Sequence, residues 1–260
     1  TTFESSIIRA RPNKVTAHGM FLFYLFSSPI GRHLIGTLLR QTSVSGITGT
    51  DLVKLDIPLP PVDEQIAIAN VLGALDDKIE LNRQMNHTLE AMAQALFKSW
   101  FVDFDPVTAK AAGRAPFGMN AETAALFPSS FSENGGEPIP EGWKAGNIKD
   151  IGRNIKVGVR PSEIDSDTPY FGLEHIPRKS IALAEWGRTG EVTSQKFQFS
   201  KGDILFGKLR PYFHKVGVAP ISGVCSTDIL VLNSITPAWF GVLLGHVSST
   251  EFINFVDGAS

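Results

Sequence analysis

The sequence predicts two α/β portions joined by a long coiled-coil-type helix, and three observations predict it. Between Pro61 and Pro106 there is no proline and one interior glycine, Gly73, while apolar residues recur in steps of three and four. From Trp143 to about Leu232 the texture changes to short β-type runs separated by Gly and Pro. Finally, features of the segment preceding the helix recur, in the same order, near the end of the chain.

The elements follow in chain order. Residues 1–60 read as the C-terminal portion of a first α/β domain. Ile57-Pro58-Leu59-Pro60-Pro61 must be extended, because proline sets its own φ and pushes the preceding residue out of the helical region. The helix spans residues 61–105, with Asp63 and Glu64 in the first turn, where acidic groups complement the macrodipole. Leu72, Leu75, Ile79, Asn82, Asn86, Leu89, Ala93 and Leu96 form a heptad seam. Its two asparagines cost stability but disfavour slipped registers, since an unpaired buried amide is expensive. Roughly 40 residues at about 1.5 Å each make a rod of about 60 Å. The bland alternative is an amphipathic helix lying on a globular domain.

Residues 106–139 are a connector, with short helical patches around Lys110 and Ala121 and punctuation at Gly135-Gly136-Glu137-Pro138 and Pro140-Glu141-Gly142-Trp143. Residues 140–260 read as a second α/β domain. Its strand candidates are 169–173, 196–199, 203–206, 216–218 and 229–232, and residues 239–255 read as a helix. The internal repeat pairs Ser5-Ser6-Ile7-Ile8-Arg9 with Ser226-Thr227-Asp228-Ile229-Leu230. It also pairs Val15-Thr16, an apolar helix and Phe26-Ser27-Ser28 with Ile235-Thr236, an apolar helix and Val247-Ser248-Ser249. On this reading the second copy lacks its exit segment, whose counterpart is residues 46–60, and the first copy lacks its opening. The initial Thr1 agrees with a piece of a longer reading frame.

Composition bounds the rest. The 260 residues are 43% apolar and 19% charged, enough for a packed core and incompatible with wholesale disorder. A single cysteine, Cys225, excludes an intramolecular disulfide framework and a cysteine-rich zinc site, and fits a reducing, cytoplasmic compartment. The longest apolar run, Met20 to Phe26, is far too short to span a membrane. Net charge is −2, but it is unevenly distributed. Residues 144–215 carry thirteen Lys/Arg against eight Asp/Glu, whereas residues 61–143 carry five against twelve. A polyanion would meet the former and the first sixty residues; the acidic helix must serve another purpose, which the seam identifies as protein association.

Enzymatic motifs are weak. Asp167-Thr168-Pro169-Tyr170 is a near miss for an amino-methyltransferase motif, without a glycine-rich cofactor loop. Asp103 and Asp105 have no third ligand nearby, His175 and His214 are isolated, and Cys225 has no neighbouring base.

Several runs together resemble the specificity subunit of type I restriction–modification systems. They are Ile57-Pro58-Leu59-Pro60-Pro61 with Glu64-Gln65, the run from Ala95 to Pro106, Ile139-Pro140-Glu141-Gly142-Trp143, and the run from Gly202 to Tyr212 followed by Ser226-Thr227-Asp228. The resemblance implies α/β target-recognition domain portions joined by a spacer helix that sets the distance between two half-sites. It also implies a non-catalytic chain binding double-stranded DNA and partnered by modification (methyltransferase) and restriction subunits. No cofactor is then expected in this chain, with S-adenosylmethionine on the partner methyltransferase subunit, and no membrane association. The alternatives are a coiled-coil scaffold without autonomous DNA binding, and a DNA-modifying enzyme.

Phosphate contacts need Lys and Arg, and base reading needs planar donors that reach groove edges. The DNA-contact candidates are Lys208, Arg210, Tyr212 and Lys215 around a Gly/Pro-punctuated turn, Arg178 and Lys179 on a second loop, and Arg160 on a third; Arg9, Arg11 and Lys14 are lesser candidates. Loops 158–168 and 176–196 are the expected sequence readers. The competing structural role has Arg210 pairing with Asp203 or Tyr212 packing the turn. The interface candidates are Leu72, Leu75, Ile79, Leu89 and Leu96, facing another spacer helix, a modification subunit or a second copy of the chain.

Overall fold

A computed structural model describes residues 7–38, 46–132, 138–190 and 193–258. Ser5, Ser6, Gly135, Gly136 and Glu137, used above for the repeat and the connector, lie outside the described residues, as do 191 and 192 within the loop 176–196. The chain divides into two units, Thr1–Gln84 and Met85–Ser260, with the division inside the long helix.

In the first unit, α1 (Gly19–Ser27) and α2 (Pro29–Gly36) are followed by the single turn α3 (Gly49–Leu52), and α4 (Val62–Phe101) begins after the extended prolines. α4 is a 40-residue helix, the spacer that the proline-free heptad pattern predicts. Its first turn is held by Gln65, which is fully buried. Gln65 Oε1 accepts His18 N–H (2.8 Å), and its Nε2 donates to the carbonyls of Thr16 (3.0 Å) and Pro60 (2.7 Å). One amide thus ties α4 to the start of α1 and to the proline run. Further along, Tyr24 donates to Asp76 Oδ2 (2.8 Å).

The second unit contains the rest of α4, then α5 (Asp105–Ala111) and α6 (Ala121–Ala125), and a two-stranded ribbon of β1 (Phe131–Ser132) and β2 (Ile139–Pro140). The α/β body follows: α7 (Ile148–Ile151), β3 (Gly152–Ile155), β4 (Gly158–Val159), β5 (Pro169–Phe171), β6 (Gly187–Arg188) and β7 (Lys196–Phe199). It is completed by β8 (Ile204–Gly207), β9 (Val216–Val218), β10 (Gly223–Cys225), β11 (Ile229–Ser234), α8 (Phe240–Ser248) and α9 (Thr250–Gly258).

Two sheets form, in the orders β4-β7-β10-β5-β6 and β3-β11-β8-β9. β10 and β5 pair in parallel, with Cys225 opposite Phe171, and an isolated parallel bridge joins Ala182 to Val218. Side chains alternate across a strand, and β8 shows the consequence. Leu205 packs with Phe171, Phe199, Cys225, Ile229 and Val231 between the sheets. Its neighbours Ile204 and Phe206 face the other way, onto Leu243, Val247 and Ile253 of α8 and α9. A strand covered on both faces reads as an unbroken apolar run, as Ile204-Leu205-Phe206 does. The turn leading into β8 is closed by Gly202 at φ +92° and by Asp203, which accepts Ser200 N–H (2.8 Å) and Asn233 Nδ2–H (2.6 Å).

The continuous helix expected over 239–255 is instead two helices broken at Ser249, whose backbone is extended (φ −68°, ψ 149°). Its Oγ accepts Phe252 N–H (3.1 Å) and donates to His246 O (2.8 Å), ending one helix and capping the next. Ser28 does the same between α1 and α2, accepting Gly31 N–H (3.1 Å) and donating to Leu25 O (2.6 Å). The repeat detected from the order of features therefore extends to matching serine caps. α8 approaches α4 closely at Gly245, where an added Cβ would lie 2.4 Å from the Phe97 ring. Among the described residues no helix is long and apolar enough to cross a membrane.

Candidate nucleic-acid interface

Of the second unit's DNA-contact candidates, Arg160 lies on a separate loop, and Arg178, Lys179, Lys208, Arg210, Tyr212 and Lys215 fall on two loops that touch. One runs from Ile176 to Ala182; the other runs from Lys208 to Lys215 around a short 3-10 turn, Pro211–Phe213. The Arg178 guanidinium stacks 3.7 Å from the Phe213 ring centroid, and Phe213 in turn packs edge-on against Tyr212 (4.6 Å). Lys179 N–H donates to His214 O (3.1 Å), stitching the loops together. Lys179, Arg210 and His214 all have left-handed backbones (φ 55°, 52° and 49°), a conformation that side-chain-bearing residues occupy at a cost of about 1 kcal/mol or more.

The individual side chains differ. Lys208, Arg210, Tyr212, Arg178, Lys179 and Arg160 are exposed. Lys208 Nζ lies 3.8 Å from Asp228 Oδ1, and its N–H donates to Asp228 O (3.0 Å), so half of its role is to hold the turn. Lys215 is half-buried and donates to Leu173 O, which commits its ammonium to the fold. Arg160 opens a 3-10 turn in which its N–H donates to Glu163 (3.1 Å). The alternative pairing of Arg210 with Asp203 is not formed, since the buried Asp203 serves Ser200 and Asn233. Tyr212 packs on the turn yet stays half-exposed, combining both roles considered for it.

The residues weighed for catalysis have other partners. Asp167 forms an exposed pair with Arg188 (2.6 Å) just before β5. Lys98 Nζ bridges both Asp103 oxygens (2.6 and 2.5 Å), and Asp105 accepts Ser99 Oγ–H (2.8 Å) at the end of α4. Burial pushes the Cys225 thiol up to about 12, far from a reactive thiolate. Among the described residues no group of His, Cys, Asp and Glu has metal-site geometry.

Along α4 the seam is largely uncovered in each unit. Leu75 and Ile79 in the first, and Leu89 and Leu96 in the second, are each about half exposed, and Leu72 is half-buried. Sequence reasoning missed Glu90, one position after Leu89. Glu90 Oε1 accepts Ile181 N–H (3.0 Å), Ala182 N–H (2.9 Å) and Ser180 Oγ–H (3.3 Å), so the helix grips the loop that carries Arg178 and Lys179. A lone glutamate flanking a seam reads as a solvated charge; only the folded loop supplies its donors.

Residues 2–91 match the family described as "Type I restriction modification DNA specificity domain". The chain is similar to the specificity subunits of type I restriction–modification systems. It is 31% identical over 204 residues to the type I restriction enzyme HindI specificity subunit of Haemophilus influenzae, covering 64% of this chain and 44% of that protein. To the MjaIX specificity subunit of Methanocaldococcus jannaschii it is 30% identical over 224 residues, covering 82% and 48% respectively. The chain thus spans about half the length of the curated relatives it matches. It also aligns with the crystal structure of a type I S subunit from M. genitalium at 15% identity and a TM-score of 0.42, over 95% of this chain and 56% of that one.

Proposed function

We propose that this chain recognises double-stranded DNA within a type I restriction–modification complex, performs no chemistry of its own, and serves as an assembly scaffold in the cytoplasm. The observation that carries the reading is the paired-loop surface, where Arg178, Lys179, Lys208 and Arg210 are exposed around the stacked Phe213 and Tyr212. Cationic side chains on a rigid aromatic base place charge along a phosphate backbone, while Arg160, on a separate loop, offers planar donors to base edges. Lys215, bound to Leu173 O, contributes by holding the turn. The uncovered seam of Leu72, Leu75, Ile79, Leu89 and Leu96 is the docking face for a modification subunit or another spacer helix, and restriction subunits join through the assembled complex. S-adenosylmethionine belongs to the methyltransferase partner.

Fluorescence anisotropy with a random-sequence duplex tests the DNA arm. Log affinity should fall linearly with log salt, and removing one phosphate contact by Arg210→Ala should reduce the slope by about 0.9. Binding that ignores salt would refute the reading. Leu75→Asp with Ile79→Asp should abolish association through the helix, read by light scattering; an unchanged assembly mass would refute the docking face.

A further inference from the structure

A cavity of about 350 Å³ lies in the second unit, bounded by α4, by the loop following Arg178, by the end of the Pro211–Phe213 turn and by the start of α9. Its polar lining is His87 and Gln94 of α4, Lys179 and Ser180, His214, Ser248 at the end of α8, whose Oγ–H is donated to Leu244 O (2.7 Å), and Thr250. No carboxylate lines it. The Lys179 ammonium has no ion-pair partner among the described residues. Glu90 and Glu251 are nearby in sequence, but neither lines the cavity, and Glu90 is occupied by the Ser180–Ala182 donors.

Two features mark the cavity as built. Lys179 and His214 are both left-handed, and the Lys179 N–H to His214 O hydrogen bond holds them side by side. Such outliers persist where the surrounding structure imposes them, and they concentrate at functional sites. The Glu90 clamp provides that imposition, fixing the residues immediately after Lys179. Polar side chains from α4, from the two loops and from α8 and α9 therefore surround one small space, with one permanent positive charge, that of Lys179, among them. That is the chemistry of a tetrahedral oxyanion, which accepts several hydrogen bonds at once and is favoured by charge-assisted donors.

We propose that this cavity binds a phosphate group, with Lys179 supplying the charge and His87, His214, Gln94 and Thr250 further hydrogen bonds. The site shares Lys179 with the proposed DNA surface and in that respect rests on the DNA reading, but its other walls include the spacer helix and its chemistry requires only the phosphate. The group can come from a free phosphate or phosphate ester, or from a DNA backbone.

The test is isothermal titration of the whole chain with sodium phosphate, in buffers matched in ionic strength with chloride. Wild type should bind phosphate specifically. Lys179→Gly removes the charge, and glycine adopts φ +55° without steric cost, so the variant retains the fold; its affinity should fall about tenfold or more. Gln94→Glu places a carboxylate in the helix wall and should abolish binding. Equal affinities in wild type and Lys179→Gly, or no response beyond that to chloride, would overturn the proposal. A random-sequence duplex then separates the sources. Competition with phosphate assigns the group to a DNA backbone, simultaneous binding assigns it to a free ligand, and both support the site. Failure of the duplex to bind at all would count against the DNA reading while leaving the phosphate titration intact.

Discussion

Replacing Gln65 should destabilise the first unit out of proportion to the size of its side chain. Gln65 is fully buried, and its amide makes three hydrogen bonds of 2.7–3.0 Å to His18, Thr16 and Pro60. A typical intramolecular hydrogen bond contributes about 1 kcal/mol net, and buried partners left unpaired cost more, so Gln65→Ala should lose about 3 kcal/mol. Gln65→Leu restores apolar volume without the hydrogen bonds and should recover only a minor part. Gln65→Glu is the sharpest variant: it still accepts from His18 N–H, but it points a carboxylate at two carbonyls that need donors. Its loss should be at least as large at pH 7 and should shrink in acid, where a protonated carboxyl can donate one hydrogen bond. The assay is urea unfolding followed by far-ultraviolet circular dichroism, read together with tryptophan fluorescence. The four tryptophans, at 100, 143, 186 and 239, all lie in the second unit, so fluorescence reports that unit and the far-ultraviolet signal both. A loss below about 1 kcal/mol for Gln65→Ala would refute the idea that one amide anchors α4 to α1 and the proline run.

Two further outcomes follow from the second unit. Glu90→Ala should accelerate hydrogen exchange at Ile181 and Ala182 by about tenfold or more, because their N–H groups lose a charged acceptor; Glu90→Gln, which keeps an acceptor oxygen, should retain most of the protection. Unchanged exchange in Glu90→Ala would mean that the clamp is not what holds the loop. Burial holds both His246 and His214 below the usual 6.5, and His214 is lowered further by Lys179. The unfolded chain therefore takes up protons near pH 6.5 that the folded chain refuses. Stability should be fully present above about pH 7 and decline as pH falls through 6.5 towards the folded-state values. A urea midpoint unchanged between pH 7.5 and pH 5.5 would contradict that assignment.

Local features were legible where a single physical rule dominates. The absence of proline over the helix, the proline run before it and the heptad spacing dictate α4, because these act through neighbouring residues. Strands β7, β8, β9 and β11 could be read from short apolar runs bounded by Gly and Pro. The break at Ser249 was missed because apolar residues continue on both sides. Its serine cap was nonetheless present in the repeat, in the match to Ser28. The basic residues of 144–215 identified the charged portion of the chain, but charge counting treats Lys215 and Lys208 alike. One is bound to Leu173 O forty-two residues away, and the other is held loosely beside Asp228.

The sequence by itself determined the rod, its apolar seam and the location of the positive charge, all of which rest on spacing and composition along the chain. Tertiary structure alone decided which polar groups meet. Gln65 finds one donor and one acceptor forty-seven or more residues away in two of its three bonds, and Glu90 reaches backbone N–H groups about ninety residues on. Lys179 and His214 become neighbours through one hydrogen bond between loops. Hydrogen bonds are short-ranged and directional, so a partner distant in sequence leaves no periodic trace, and its identity emerges only when the fold brings the two groups within about 3 Å.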